Sequence, residues 1–370
     1  MSRYIEKINN YCFRLENRFG LLLACLIIAL IILGFDLLYI TPKFEAAYHG
    51  LQYSILSNNP FDFSNQNALR YRILAPFIGY IFFLRGDLFF LVPLIFALLF
   101  IASVYWIYRK KEYTPVDSLL FTGLIAFSCT LYIQLAAPGY TDVVFYFFMF
   151  LSFAFVKEIF VSAFFFCLAL LTHESCLFLL PGLLLYSNYI NKDTRYKVVK
   201  HFIALVIAII PLLVYRGWVA KHTPVEYDLN FYFCAKNISF SIKKVLPLLP
   251  GGAFYAFKLF WFFPVYALAK TWQKKEFSFF YIISAIIICD VAQLIISFDI
   301  TRMLCLGFPA ILLSAEKIKS EWAPEKFTRF LFGLTLINFL IIQYFMSCDG
   351  INPMLPAPYT FIINHLGFGN

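Results

Sequence analysis

Residues 21–39, LLLACLIIALIILGFDLLY, decide the fold class. From Leu21 to Gly34 the run is continuously apolar. A helix rising about 1.5 Å per residue needs about 20 such residues to cross the roughly 30 Å hydrocarbon core of a bilayer. A membrane-barrel strand would instead alternate apolar and polar side chains over about ten residues. The run therefore predicts a spanning helix, about Phe19–Ile40, with Asp36 near its far end. The residues before it carry Arg3, Lys7, Arg14 and Arg18 beside Glu6 and Glu16, and no small-residue cleavage site follows. It reads as a retained first helix rather than a signal peptide.

Similar segments recur to the end of the chain. They are Leu88–Tyr108, Val116–Ala136, Val143–Val156, Ile159–Leu171, Ser175–Ile190, Phe202–Val219, Ala253–Ala269, Phe277–Ser297, Met303–Ala315 and Phe330–Phe345. The 370 residues are 62% hydrophobic and 14% charged, against about 25% charged in soluble domains. The expectation is one integral membrane domain over residues 1–370, an all-α polytopic bundle of about eleven spans. Several spans are shorter than the roughly 17 residues a straight crossing needs, so neighbours or a thinned bilayer must accommodate them. The stretch Tyr71–Tyr108 is too long for one span and is broken by Arg85-Gly86-Asp87. A shallow or re-entrant piece at Ile73–Leu84 before a single span keeps Arg109-Lys110-Lys111 with the other basic loops.

With that threading, 19 of the 30 Lys and Arg residues fall on one face. Positive loops stay cytoplasmic, so the N-terminus is expected in the cytoplasm and residues 41–70, 220–252 and the irregular tail 347–370 outside. Within the first outer loop Phe44, Ala47, Tyr48, Leu51 and Ile55 recur at helical spacing, predicting a short helix lying on the membrane surface. The net charge of +9 belongs to short loops facing anionic headgroups, not to a nucleic-acid surface. Nine cysteines show neither a CxxC pair nor metal-ligand spacing. Only Cys234 and Cys348 fall in outer segments, where a disulfide is conceivable.

Isolated charges on the outer face are the candidate chemistry, because charge at membrane depth is costly and commonly functional. Asp36 is a shielded carboxylate able to accept a proton near neutral pH, with a helix-end acid in the headgroup layer as the bland alternative. Glu45 and Asp62 compete with it in the first loop, or are solvated loop acids. Arg70 and Arg72, flanking Tyr71, suit a phosphate because guanidinium binds it in a planar, two-pronged way; lipid anchoring explains them equally well. Pro138-Gly139-Tyr140-Thr141-Asp142 presents Asp142 at a helix start, where capping alone would suffice. His173-Glu174 lacks the spacing of a helical zinc motif and is read as a pair facing sugar or phosphate. In Asp299-Ile300-Thr301-Arg302 an arginine grips phosphate and an acid orients it, or the two form a local ion pair. Arg216 is a further phosphate candidate. Asp290 and Gln293 lie deeper and read as packing polar residues. No phosphate-cradling Gly-Lys loop, HExxH or nucleophile elbow is present.

These patches together resemble the GT-C type of polytopic glycosyltransferases. The resemblance lies in the acid ending the first helix, the loop closing on Leu69-Arg70-Tyr71-Arg72-Ile73-Leu74-Ala75-Pro76, and the outer turns Thr172-His173-Glu174 and Asp299-Ile300-Thr301-Arg302. Asp36-Leu37-Leu38-Tyr39, with Ala46-Ala47 and Asn59-Pro60-Phe61-Asp62, is similar to the start of some bacterial mannosyltransferase-like members. The resemblance implies an inner-membrane enzyme that takes a sugar from a polyprenyl-phosphate donor and passes it, with inversion, to a glycan, lipid or protein acceptor outside. It implies Asp36 as general base with Glu45 second, and Arg70, Arg72, Arg302, His173 and Glu174 at the donor. Asp62, Asp142 and Asp299 would contact substrate. Some members use a divalent metal, Mg or Mn, whereas no metal ligand is assigned on this chain. A transporter or flippase, or a polymerase of lipid-linked glycans, is the rival; a transporter would line a continuous polar path.

Overall fold

The computed structural model describes residues 2–40, 45–63, 67–191, 194–222, 233–297, 299–347, 350–356 and 358–361. The opening stretch is one long element, α1 (Ser2–Tyr39), bent at Gly20, whose φ of 76° is a left-handed conformation open to glycine. The bend releases the charged first half from the apolar second half. In the latter, Ala24, Cys25, Ile28, Ala29, Ile32, Leu33, Asp36 and Tyr39 form one buried stripe at the three- and four-residue spacing of a helix face. Leu22, Leu30, Ile31 and Phe35 stay exposed, as side chains bathed by lipid would be.

The chain continues through α2 (His49–Asn58), α3 (Leu74–Ile81), α4 (Leu91–Lys110), α5 (Pro115–Ala126), α6 (Cys129–Ala136), α7 (Asp142–Ala154), α8 (Ile159–Thr172), α9 (Leu180–Ile190) and α10 (Arg195–His222). Then follow α11 (Ala235–Val245), α12 (Leu249–Phe257), α13 (Phe262–Gln273), α14 (Phe277–Ala292), α15 (Ile300–Leu304), α16 (Phe308–Glu321) and α17 (Pro324–Leu340). Among the described residues five helical stretches are long and apolar enough to cross a membrane: Ser2–Tyr39, Gly86–Lys110, Tyr196–His222, Ala235–Gln273 and Phe277–Ile295. The pair α5–α6, bent by 54°, raises this to six if it is one broken span. The expected eleven are not reached by that measure, because several predicted spans fold as shorter or interrupted helices. At the α5–α6 break the Asn338 side chain donates to the freed Phe127 carbonyl at 2.9 Å, and the Ser128 hydroxyl accepts from the Thr130 N–H. A broken helix inside an apolar bundle requires such substitutes for its lost backbone partners.

Ile73–Leu84 forms the short α3, and a single long helix, Gly86–Lys110, follows it, as the placement of Arg109-Lys110-Lys111 requires. The helix expected in the first loop is present as α2, with its periodic apolar residues exposed as a surface helix would have them. Gly50, Tyr53, Ser54, Leu56 and Ser57 are its buried residues, whereas Tyr48, Leu51 and Ile55 are exposed. Its small and polar side is taken by the protein. Ser54 donates to the Gly86 carbonyl at 2.6 Å, and the Gly86 N–H donates to the Ser57 hydroxyl at 3.0 Å. Gly50 lies so close to the Pro138–Gly139 backbone that a Cβ there would collide with it.

One element has no counterpart in the sequence reading. After Leu340 the chain forms an antiparallel hairpin, β1 (Gln343–Ser347) with β2 (Gly350–Met354), so the last predicted helix is cut short of Phe345. Pro353 pairs with Tyr344, tolerable in a two-stranded ribbon whose outer edge needs no donor. The Met346 N–H donates to the Thr301 hydroxyl at 2.9 Å, and Gln343 donates to the Tyr255 carbonyl at 2.7 Å. The hairpin thereby seals α15 against α12. Cys348, Glu226 and Asp228 lie outside the described residues.

The charges sort into two ends. At one, Arg109 pairs with Glu16 at 2.7 Å, Lys111 with Glu316 at 2.7 Å, Lys317 with Glu276 at 2.6 Å, Lys274 with Glu321 at 2.9 Å, and Lys319 with Asp117. These pairs join the predicted basic loops to one another and to the charged half of α1. The outer-loop charges pair among themselves at the opposite end.

Candidate functional site

Two arginine-carboxylate clusters stand at that opposite end. In the first, Arg72 meets Glu174 through two nitrogens, at 3.1 and 3.0 Å. It also donates to the Tyr53 hydroxyl at 3.2 Å. Arg216, near the end of α10, approaches the same carboxylate at 3.5 Å and stacks on Tyr71 at 4.7 Å. Glu174 thus sits between two guanidinium groups. Burial alone would push its carboxyl up, but Arg72 and Arg216 outweigh that and hold it well below the usual carboxylate range.

In the second cluster Arg302 pairs with Asp299 at 2.8 Å and faces Asp142 at 3.8 Å. Its guanidinium lies over the Tyr140 ring at 4.9 Å, and its carbonyl accepts from Tyr146 at 3.0 Å. Arg302 and Asp142 are almost wholly buried. Burial disfavours the guanidinium charge, yet Asp299 and Asp142 more than restore it, so the group is held firmly protonated. The turn predicted at Pro138–Asp142 makes this arrangement: Gly139 adopts a φ of 91°, and Tyr140 and Asp142 then reach Arg302 from the same loop.

His173 and His49 link the clusters. Burial first, then the charges of Arg72, Arg302 and Arg216, drive His173 to the neutral form against the opposing pull of Glu174. Its Nδ1 accepts the Ser175 N–H at 3.2 Å, leaving Nε2 buried and without a hydrogen-bond partner among the described residues. His49, at the start of α2, feels Arg302, Asp299, Arg72 and Asp142. Its ring lies edge-on to Tyr140 at 5.6 Å. Charges from both clusters therefore reach the same two imidazoles.

Arg72, Glu174, His173, Arg302, Asp142 and Asp299 are thus brought together, as the sequence suggested. Arg70 is not with them. It is almost fully buried, donates to the Asp62 carbonyl, and lies over Phe63 at 4.8 Å. Two residues apart on the tight turn Ala68–Tyr71, Arg70 and Arg72 point to different sides. Arg70 and Asp62 fasten the loop instead.

Asp36 is also elsewhere. It is completely buried, both carboxylate oxygens lack a hydrogen-bond partner among the described residues, and the charge that reaches it is that of Lys258. Lys258 in turn donates to the Asn338 and Ile341 carbonyls at 3.2 and 2.7 Å. Glu45 is exposed, next to Ala46 and Ala47, the latter docked through its N–H on the Pro138 carbonyl at 3.0 Å.

A divalent ion would have to use Asp142 and Asp299, both already facing Arg302. Among the described residues no three His, Cys, Asp or Glu side chains are grouped to hold a metal. That donor set does not fit a resident Mg or Mn ion, and no step below uses one. His49 and Tyr53 are site residues the sequence reading missed. A lone histidine and a tyrosine inside an amphipathic patch gave no signal beyond lying in the loop before Arg72.

Compared with family models, curated proteins and solved structures, the chain matches none.

Proposed function

We propose that the chain is a GT-C type membrane glycosyltransferase acting at the end opposite its basic loops, the extracytoplasmic face of an inner membrane. The observation supporting this is the gathering of Arg72, Arg216 and Arg302 within electrostatic reach of one buried imidazole, His173. Three positioned guanidiniums suit a polyprenyl-phosphate sugar, whose tail stays in lipid while its phosphate meets the protein. In the reaction proposed, an acceptor hydroxyl on a glycan, lipid or protein attacks the anomeric carbon. The bond from that carbon to the phosphate oxygen breaks on the opposite face, inverting the centre, and the phosphate leaves with the electron pair. Fixed cations that meet this developing charge are commonly worth several kcal/mol, roughly 3–4 per donor group removed.

Of the two base candidates from the sequence, Glu45 is open to solvent and Asp36 is sealed beside Lys258; in the reading proposed Asp36 takes no part in the chemistry. Its buried carboxylate within a span, facing Lys258 without a hydrogen bond to either oxygen, is the observation that favours the rival, a transporter or flippase. One experiment separates the readings. In cells deleted for the chain, one surface glycan should disappear, and it should return with the wild-type chain and with Asp36→Asn. Unchanged envelope glycans in the deleted cells would contradict the enzyme reading. Glycan restored by wild type but not by Asp36→Asn would return Asp36 to the reaction.

A further inference from the structure

We infer that His49 is the catalytic base of this site, taking the proton of the acceptor hydroxyl as that oxygen attacks the sugar. The inference rests on the glycosyltransferase reading and goes beyond it, because that reading leaves the proton unassigned. The geometry assigns the role by position and by elimination. His49 begins α2 at the point where Gly50 is pressed against Pro138 and Gly139, so the ring is fixed over the turn carrying Tyr140 and Asp142. It meets the edge of Tyr140 at 5.6 Å, while Arg302 occupies that ring's face at 4.9 Å. His49 is exposed, whereas Arg302, Asp142 and His173 are buried, so an acceptor arriving from water can reach it.

The remaining groups are committed. Glu174 is held by Arg72 and Arg216, and Asp299 and Asp142 by Arg302. The Nδ1 of buried His173 is occupied by the Ser175 N–H. Asp36 lies with Lys258. Glu45 makes no side-chain contact with either cluster among the described residues. The charges facing His49 are Arg302 and Arg72 against Asp299 and Asp142, with Tyr140 beside it. Partial burial, with the two arginines, moves the imidazole below its ordinary value, so at neutral pH it is unprotonated and able to accept. In the step, the hydroxyl O–H bond breaks as the oxygen bonds to the anomeric carbon. The proton passes to an imidazole nitrogen, the phosphate departs with its electron pair, and the imidazolium then loses the proton to water.

The test uses membranes from deleted cells carrying each variant, with two readouts: restoration of the missing glycan, and binding of a polyprenyl phosphate to the purified chain in vesicles. His49→Ala should cut transfer by about a hundredfold or more, the usual span of a general base being 10²–10⁴, with polyprenyl-phosphate binding close to wild type. Added imidazole should restore part of the transfer, and the acid limb of the rescued variant's pH profile should follow the titration of the added base rather than that of the wild-type chain. His49→Gln, which keeps the ring's polarity without its basicity, should be as inactive as His49→Ala, whereas Glu45→Gln should transfer normally. Wild-type transfer in His49→Ala or His49→Gln, or loss of transfer only in Glu45→Gln, would overturn the assignment while leaving the donor site standing. Failure of Arg72→Gln and Arg302→Gln to weaken polyprenyl-phosphate binding would instead bring down the glycosyltransferase reading itself.

Discussion

Arg302→Gln is expected to abolish transfer and to weaken the fold together. Asp142 is buried beside it, and removing one partner of a buried ion pair costs about 3–5 kcal/mol because the other charge is stranded. Tyr140 loses the cation on its face as well. Polyprenyl-phosphate affinity should fall by about a hundredfold, the scale on which truncating a buried charge contact acts. Stability and binding can be separated with Asp142→Asn in the same chain. Removing both halves of a buried pair is far cheaper than removing one, so the double variant should regain most of the lost thermal stability without regaining affinity. Recovery of both would mean that Arg302 serves the fold alone. Arg302→Lys should keep the fold and still bind poorly, because an ammonium cannot reproduce the planar fork.

Glu174→Gln should move binding and turnover in opposite directions. In the structure Glu174 occupies the donors of Arg72 and Arg216 that a phosphate would use. Neutralising it raises the positive potential around Arg72 and Arg216 and removes a competitor, so polyprenyl phosphate should bind more tightly. Transfer should nevertheless fall by roughly ten- to a hundredfold, since the carboxylate no longer fixes the forks and small misplacements at a reacting centre cost that much.

A pH effect follows from the same contacts. A carboxylate whose folded pKa is depressed contributes stability that is present above its unfolded value, near 4.3, and is lost as pH falls through the folded value. With Glu174 held well below the ordinary range, its contribution is full at neutral pH and fades only in acid, below about 4.3. A melting temperature of Glu174→Gln that differs from wild type at pH 7 and converges with it in strong acid would match this.

Much of the site was legible because an ionisable group inside apolar sequence is conspicuous. Arg72, Glu174, Asp142, Asp299 and Arg302 stood out for that reason, and the fold joins them. What was not legible depended on orientation and on distant partners. Asp36 falls three residues after Leu33 and four after Ile32 on the buried stripe of α1. Its phase pointed inward, but the partner there, Lys258, lies far along the chain. Arg70 and Arg72 looked equivalent until the tight turn separated them. In α2 the apolar period of Leu51 and Ile55 predicted a surface helix, and both are exposed, but the docking of Gly50, Ser54 and Ser57 on the protein was not legible. Backbone contact with Gly139 and hydrogen bonds at Gly86 decided that face, and hydrophobic period does not register either. The same docking brings His49 beside Tyr140. The hairpin after Leu340 was missed because its ten paired residues include Pro353 and follow directly on a helix.

The central claim is that the arginines of both clusters grip one lipid-borne phosphate, and a structure of the chain in a lipid nanodisc with polyprenyl phosphate tests it most directly. The account predicts phosphate oxygens within about 3 Å of Arg302 and of Arg72 or Arg216, with His49 bordering the same space. Phosphate bound instead along the lysines of α11, or the space between the two clusters filled by side chains with the lipid excluded, would contradict it.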